Sequence, residues 1–155
     1  MTTIVFLHAP GKSYMDWREV ADHLPPAWAI AAPDLSRCAS ADEIFDVIDA
    51  DARSVSSEQI VVVSQGLSVV GAGGFYRARQ QRVAAIVALS AQWKPSLAQM
   101  FALRSDTYFR ALRAKEFRGV PALSATITTT IPNSQAQYPA QTAAALYRTI
   151  SGLVA

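Results

Sequence analysis

The sequence predicts an α/β domain arranged as a three-layer sandwich: a mostly parallel central sheet of about five strands with helices on both faces. Three observations carry this. Short apolar runs alternate with longer amphipathic ones along the whole chain, the habit of βαβ units. Ile60, Val61, Val62 and Val63 stand in a row with no polar interruption, as a strand buried on both faces requires. The 155 residues suit one domain, 1–155, and no repeat or low-complexity segment divides them.

Taken in order, Ile4 to His8 reads as a buried strand that ends in the turn signal Ala9-Pro10-Gly11. Ser13 and Asp16 have capping-box spacing. The helix they introduce, about Met15 to Leu24, puts Trp17, Val20, Ala21 and Leu24 on one face, and Pro25-Pro26 stops it. Trp28 to Ala32 is a second strand, closed by Pro33-Asp34. Ser40 and Glu43 repeat the capping spacing before a helix that turns Ile44, Val47, Ile48 and Ala52 inward. Gln59 to Val63 is the most β-like run. A small-residue helix follows Ser64-Gln65-Gly66 and runs to about Gln80. Its run Gly71-Ala72-Gly73-Gly74 predicts very close packing on the sheet, because each helical glycine costs about 1 kcal/mol relative to alanine. Val83 to Ser90 is a further strand, Pro95 to Phe117 one or two helices, Val120 to about Thr128 a last strand, and Gln141 to Val154 a closing amphipathic helix.

Composition excludes several function classes. Half of the residues, 51%, are hydrophobic and only 17% are charged, too apolar a mixture for a disordered chain. The net charge of +2 is scattered. Two basic runs, Arg77, Arg79, Arg82 and Arg110, Arg113, Lys115, Arg118, read as solvated helix faces, so no nucleic-acid partner is expected. Asp46, Asp49 and Asp51 likewise read as a solvated acidic face. One cysteine, Cys38, leaves no internal disulfide and has no accompanying base motif. No basic leader precedes a long apolar stretch, so a soluble cytoplasmic protein with no membrane partner is expected. No His, Cys and carboxylate cluster has metal-ligand spacing. Gly11-Lys12-Ser13 lacks the upstream glycine of a phosphate loop, so no cofactor is expected.

The opening Phe6-Leu7-His8-Ala9-Pro10-Gly11, then Trp17, Leu24 and Ala32-Pro33-Asp34-Leu35, resembles the first half of an α/β-hydrolase. Val62-Val63-Ser64-Gln65-Gly66 resembles that family's G-x-S-x-G turn between strand and helix, with Val62 in place of the first glycine. Val83 to Ser90 resembles the strand after the nucleophile helix, and Gly119-Val120-Pro121 the entry to the next. The resemblance covers nearly the whole chain. It implies a reduced α/β-hydrolase fold with Ser64 as nucleophile on a tight, strained bend. It also implies an oxyanion hole from the Ala9-Pro10 turn and the backbone N–H of Gln65.

The same resemblance exposes a gap. The family order is Ser, then Asp or Glu, then His. The only histidines, His8 and His23, precede Ser64, and no acidic residue follows Glu116. Without a base, a serine hydroxyl is a poor nucleophile. His8 is the one candidate substitute, with turn-bracing as its alternative role. Asp34, at the same sheet edge, either orients His8 or a substrate or caps a turn. Trp93 either lines the pocket or packs in the core. Three functions remain open: a degenerate relative binding a small acyl or ester-like molecule or running non-hydrolytic chemistry, an esterase or thioesterase with an unconventional base (His8, or one from another chain), and a non-catalytic interaction scaffold. A homo-oligomer or partner chain is compatible with each.

Overall fold

In this computed structural model, residues 2–56 and 58–154 are described. They form five strands, β1 (Thr3–Leu7), β2 (Ala29–Ala31), β3 (Ile60–Gln65), β4 (Val83–Leu89) and β5 (Thr128–Ile131). All neighbouring strands pair in parallel, in the order β2-β1-β3-β4-β5. Parallel neighbours need crossovers, and seven α-helices accompany the strands: α1 (Arg18–Asp22), α2 (Ala41–Val55), α3 (Ser68–Ala78), α4 (Leu97–Ala102), α5 (Thr107–Leu112), α6 (Val120–Ser124) and α7 (Pro139–Val154).

Both faces of the sheet are covered. On one, Val5, Leu7, Ile60, Val62 and Ile86 meet α2, α3, α5 and the 3-10 turn at Lys115–Phe117. On the other, Ile4, Phe6, Val61, Val63 and Val87 meet α1 and α7 through Val20, Leu146 and Ile150. Alternate positions of β1 and β3 thus serve two different cores. Ile44, Phe45, Ile48 and Ala52 of α2 are buried, and burying each large side chain contributes roughly 1.5–3 kcal/mol.

Local chemistry sets the ends. Ser13 and Asp16 form the expected capping box, with the Met15 N–H donating to Ser13 Oγ at 3.1 Å and the Ser13 N–H to Asp16 Oδ2 at 3.3 Å. Ser40 caps α2 by accepting from the Glu43 N–H at 3.2 Å.

Three expectations are corrected. Val120 to Ser124 is helix, not strand. Gly119 takes φ +76° and starts α6, where Pro121 suits the first turn. Ser124 Oγ donates back to the Val120 carbonyl, and the strand begins only at Thr128. The glycines of α3 face other helices rather than the sheet: a Cβ on Gly73 would lie 2.2 Å from Val120 and one on Gly74 2.4 Å from the Phe117 ring. Asp49 is buried rather than solvated, because Arg79, Arg82 and Arg53 converge on its carboxylate at 3.1–3.4 Å.

Candidate functional site

Strand order reverses direction between β1 and β3, and open parallel sheets place their ligands at the carboxyl ends flanking such a switch point. Two loops meet there: His8 to Ser13 after β1, and Gly66-Leu67 after β3.

The first loop is a turn in which the Lys12 N–H donates to the Ala9 carbonyl at 3.0 Å, with Gly11 at φ +80°. Pro10 and Gly11 at its centre are the type II pattern, which needs a residue without Cβ at that φ. His8 braces it and is 1% exposed. Its Nε2 accepts from the Leu35 N–H at 3.0 Å, which fixes the neutral ring with the proton on Nδ1, 3.0 Å from the Ala9 carbonyl. Tyr108 donates to the His8 carbonyl at 3.0 Å, and burial pushes its phenol well above its usual range. Both His8 nitrogens are therefore engaged with backbone.

Asp34 accepts from the Ser36 hydroxyl at 2.7 Å and the Ser36 N–H at 3.0 Å, and these two bonds hold its carboxyl below the usual range. Its Oδ1 stands 3.9 Å from His8 Nε2, beyond hydrogen-bond reach, so the geometry is that of a turn cap. Cys38 is buried, and desolvation pushes its thiol up to about 11.

The expected placement of Ser64 at the bend is corrected by the backbone. Ser64 lies within β3, paired with Leu7 on one side and Ala88 on the other. It is fully buried, and its Oγ has no hydrogen-bond partner among the described residues. The chain turns two residues later: Gly66 takes φ +56°. Its N–H donates to the Leu89 carbonyl at 3.0 Å, tying the bend to the end of β4.

Ser68, in the first turn of α3, was missed from sequence. It is fully buried, and its Oγ accepts from the Gln65 N–H at 2.7 Å while lying 2.9 Å from the Leu7 carbonyl and 2.8 Å from that of Gln65. One hydroxyl thus staples the ends of β1 and β3 to the helix. The signal available was the symmetric frame Ser64-Gln65-Gly66-Leu67-Ser68, with small residues two positions either side of a glycine. The Gln65 N–H, expected to face a ligand, is held by Ser68. The Ala9 N–H points at Gln65 Oε1, 3.4 Å away.

The sequence neighbours of Gly66 border two different hollows. Leu67 and Val70 border an apolar cavity of about 210 Å³ with Trp93, Phe109, Leu112 and Phe117. Trp93 both lines this cavity and packs against the core. Gln65 borders a polar cleft of about 210 Å³ with Ser90, Asn133 and Tyr138. Among the described residues, Ser90, at φ +54°, is the non-glycine residue in the left-handed region. The turn after β5 carries Asn133, whose side-chain oxygen accepts from the Ser90 hydroxyl at 3.3 Å, and no carboxylate.

No family model and no curated protein sequence matches the chain. Solved structures do. A putative ancestral haloalkane dehalogenase superposes with a TM-score of 0.65 at 11% identity, covering 98% of this chain and 92% of that one. This chain has the α/β-hydrolase fold. A pyrethroid hydrolase matches with a TM-score of 0.52 at 17% identity over 58% of this chain, and the thioesterase domain from the curacin biosynthetic pathway with 0.50 at 15% over 65%. The α/β-hydrolase-fold chain described here covers 40% of the pyrethroid hydrolase and 41% of the thioesterase domain. Among the described residues, no helix is long and apolar enough to cross a membrane.

Proposed function

We propose that this α/β-hydrolase-fold chain is non-hydrolytic and binds a small acyl or ester-like molecule in the apolar cavity beside the β3–α3 bend. One observation carries the reading: the left-handed residue at the bend is Gly66, which has no side chain. In this fold the nucleophile occupies that strained bend so that its side chain projects above the sheet. On this reading Gly66 stands in the nucleophile's place, and Ser64 and Ser68 stand in the places of the two flanking glycines. The enclosed Ser64 hydroxyl then has no access to a carbonyl carbon. His8, with both nitrogens engaged, has no lone pair to offer as base.

A fluorophosphonate probe and a p-nitrophenyl acyl ester test this. Neither labelling nor turnover above buffer is expected, for wild type or for Ser64→Ala. Because the replaced hydroxyl is buried without a partner, Ser64→Ala should leave stability unchanged or raise it by up to about 1 kcal/mol, measured by urea unfolding. Covalent labelling of wild type that Ser64→Ala abolishes would sink the reading. The interaction-scaffold reading has separate support in α4, where Leu97 and Phe101 are 85% and 70% exposed. Light scattering over a concentration series would show self-association through that helix.

A further inference from the structure

The acyl-binding reading leaves the ligand's polar end unspecified. Two guanidinium side chains, Arg113 and Arg118, border the same cavity whose walls are Leu67, Val70, Phe109 and Phe117. Both are exposed. Among the described residues, no carboxylate lies within 4.0 Å of either one, and Glu116 between them in sequence forms no such pair. Arg113 sits over the Phe109 ring, 5.8 Å from its centre. A third cation, Arg77, donates to the Arg118 carbonyl at 2.6 Å and is also without an ion pair. The arginines elsewhere in α3 and its sequel are treated differently: Arg79 and Arg82 are neutralised by Asp46 and Asp49.

We propose that this cavity takes a short- to medium-chain aliphatic carboxylate, its tail among Leu67, Val70 and Phe117 and its carboxylate at the mouth between Arg113 and Arg118. The proposal rests on the acyl-binding reading and adds the charge and orientation of the ligand. An apolar hollow with unneutralised guanidinium groups at its rim selects for amphipathic anions, because the tail gains from leaving water while the fixed forks bind a carboxylate. A hollow of about 210 Å³ suits a short or medium tail. With the head at the rim, the carbonyl carbon lies at the opposite end of the ligand from the bend at Gly66. That polarity suits binding without attack.

The test is calorimetric titration of the full chain with octanoate, octanamide and acetate. Octanoate is expected to bind at least about tenfold more tightly than either neutral octanamide or tail-less acetate. The pair Arg113→Gln and Arg118→Gln should remove about that factor for octanoate and leave octanamide unchanged. Raising the salt should weaken octanoate selectively in the unmutated protein. Val70→Trp, which fills the cavity, should weaken both eight-carbon ligands. Equal affinity for octanoate and octanamide, with no effect of the arginine substitutions, overturns the inference and leaves the acyl-binding reading standing. Absence of binding by both overturns the two together. Turnover of an octanoyl ester that Ser64→Ala abolishes overturns the non-hydrolytic reading alone.

Discussion

Two arginine-bearing regions flank the α3 helix, and their surroundings differ. At its C-terminal end, Arg79 and Arg82 reach across to Asp46 and Asp49 of α2, and Arg53 joins them from one turn further along α2. Along another flank of the same helix, the segment carrying Arg113 and Arg118 borders a hollow and meets no carboxylate among the described residues. The first region joins α2 to the connection between α3 and β4, so its charges contribute to holding the fold. The second has charge left over for something outside the chain. The contrast teaches that a basic run has no meaning until its facing element is known. A carboxylate opposite makes it structural, and an apolar hollow opposite makes it a candidate for recognition.

The largest effect should come from breaking the helix that both regions share. Gly74→Val places a Cβ 2.4 Å from the Phe117 ring, and Phe117 is also a wall of the cavity. A loss of about 3 kcal/mol in urea unfolding is expected, together with weakened octanoate binding. A variant that keeps full stability would show that the glycine flank of α3 is not a packing requirement.

Next is Asp49→Asn, which strips the countercharge from a carboxylate site whose side chain is 12% exposed. The expected loss is about 2 kcal/mol, reduced from the fully buried case because Arg53 is 68% exposed. Octanoate affinity should not change. The smallest effect on stability belongs to Arg113→Gln with Arg118→Gln, within about 0.5 kcal/mol, since both are exposed and neither forms an ion pair among the described residues. If that pair destabilised the protein as much as Asp49→Asn, the division between a structural and a recognition region would collapse.

Much of the fold was legible because burial on both sheet faces writes itself into unbroken apolar runs. Ile60 to Val63 and Val83 to Leu89 are strands for that reason, and the fold superposes on a solved structure over 98% of the chain. The stretch from Val120 misled because Val and Pro suit a strand entry as well as a first helical turn. Gly119 in the left-handed region decided for the helix. At the site, the identities of the turn residues were legible and their register was not. Ser64-Gln65-Gly66 fits the bend with either the serine or the glycine at its apex, and the two choices differ by two residues. The ladder resolved this, since pairing of Gln65 with Leu89 keeps Ser64 inside the strand. His8 followed the same course. Its position was visible, but only the Leu35 N–H, 27 residues on, shows that its Nε2 is occupied.

By itself the sequence determined an α/β sheet domain resembling the α/β-hydrolase fold and the lack of a histidine after Ser64 in this sequence, because apolar periodicity and residue order are properties of the chain. Only the tertiary structure decided which residue stands at the bend, which arginines are neutralised and which face a hollow. These depend on contacts between segments far apart in sequence, where a shift of two positions in register exchanges a buried hydroxyl for a bare glycine.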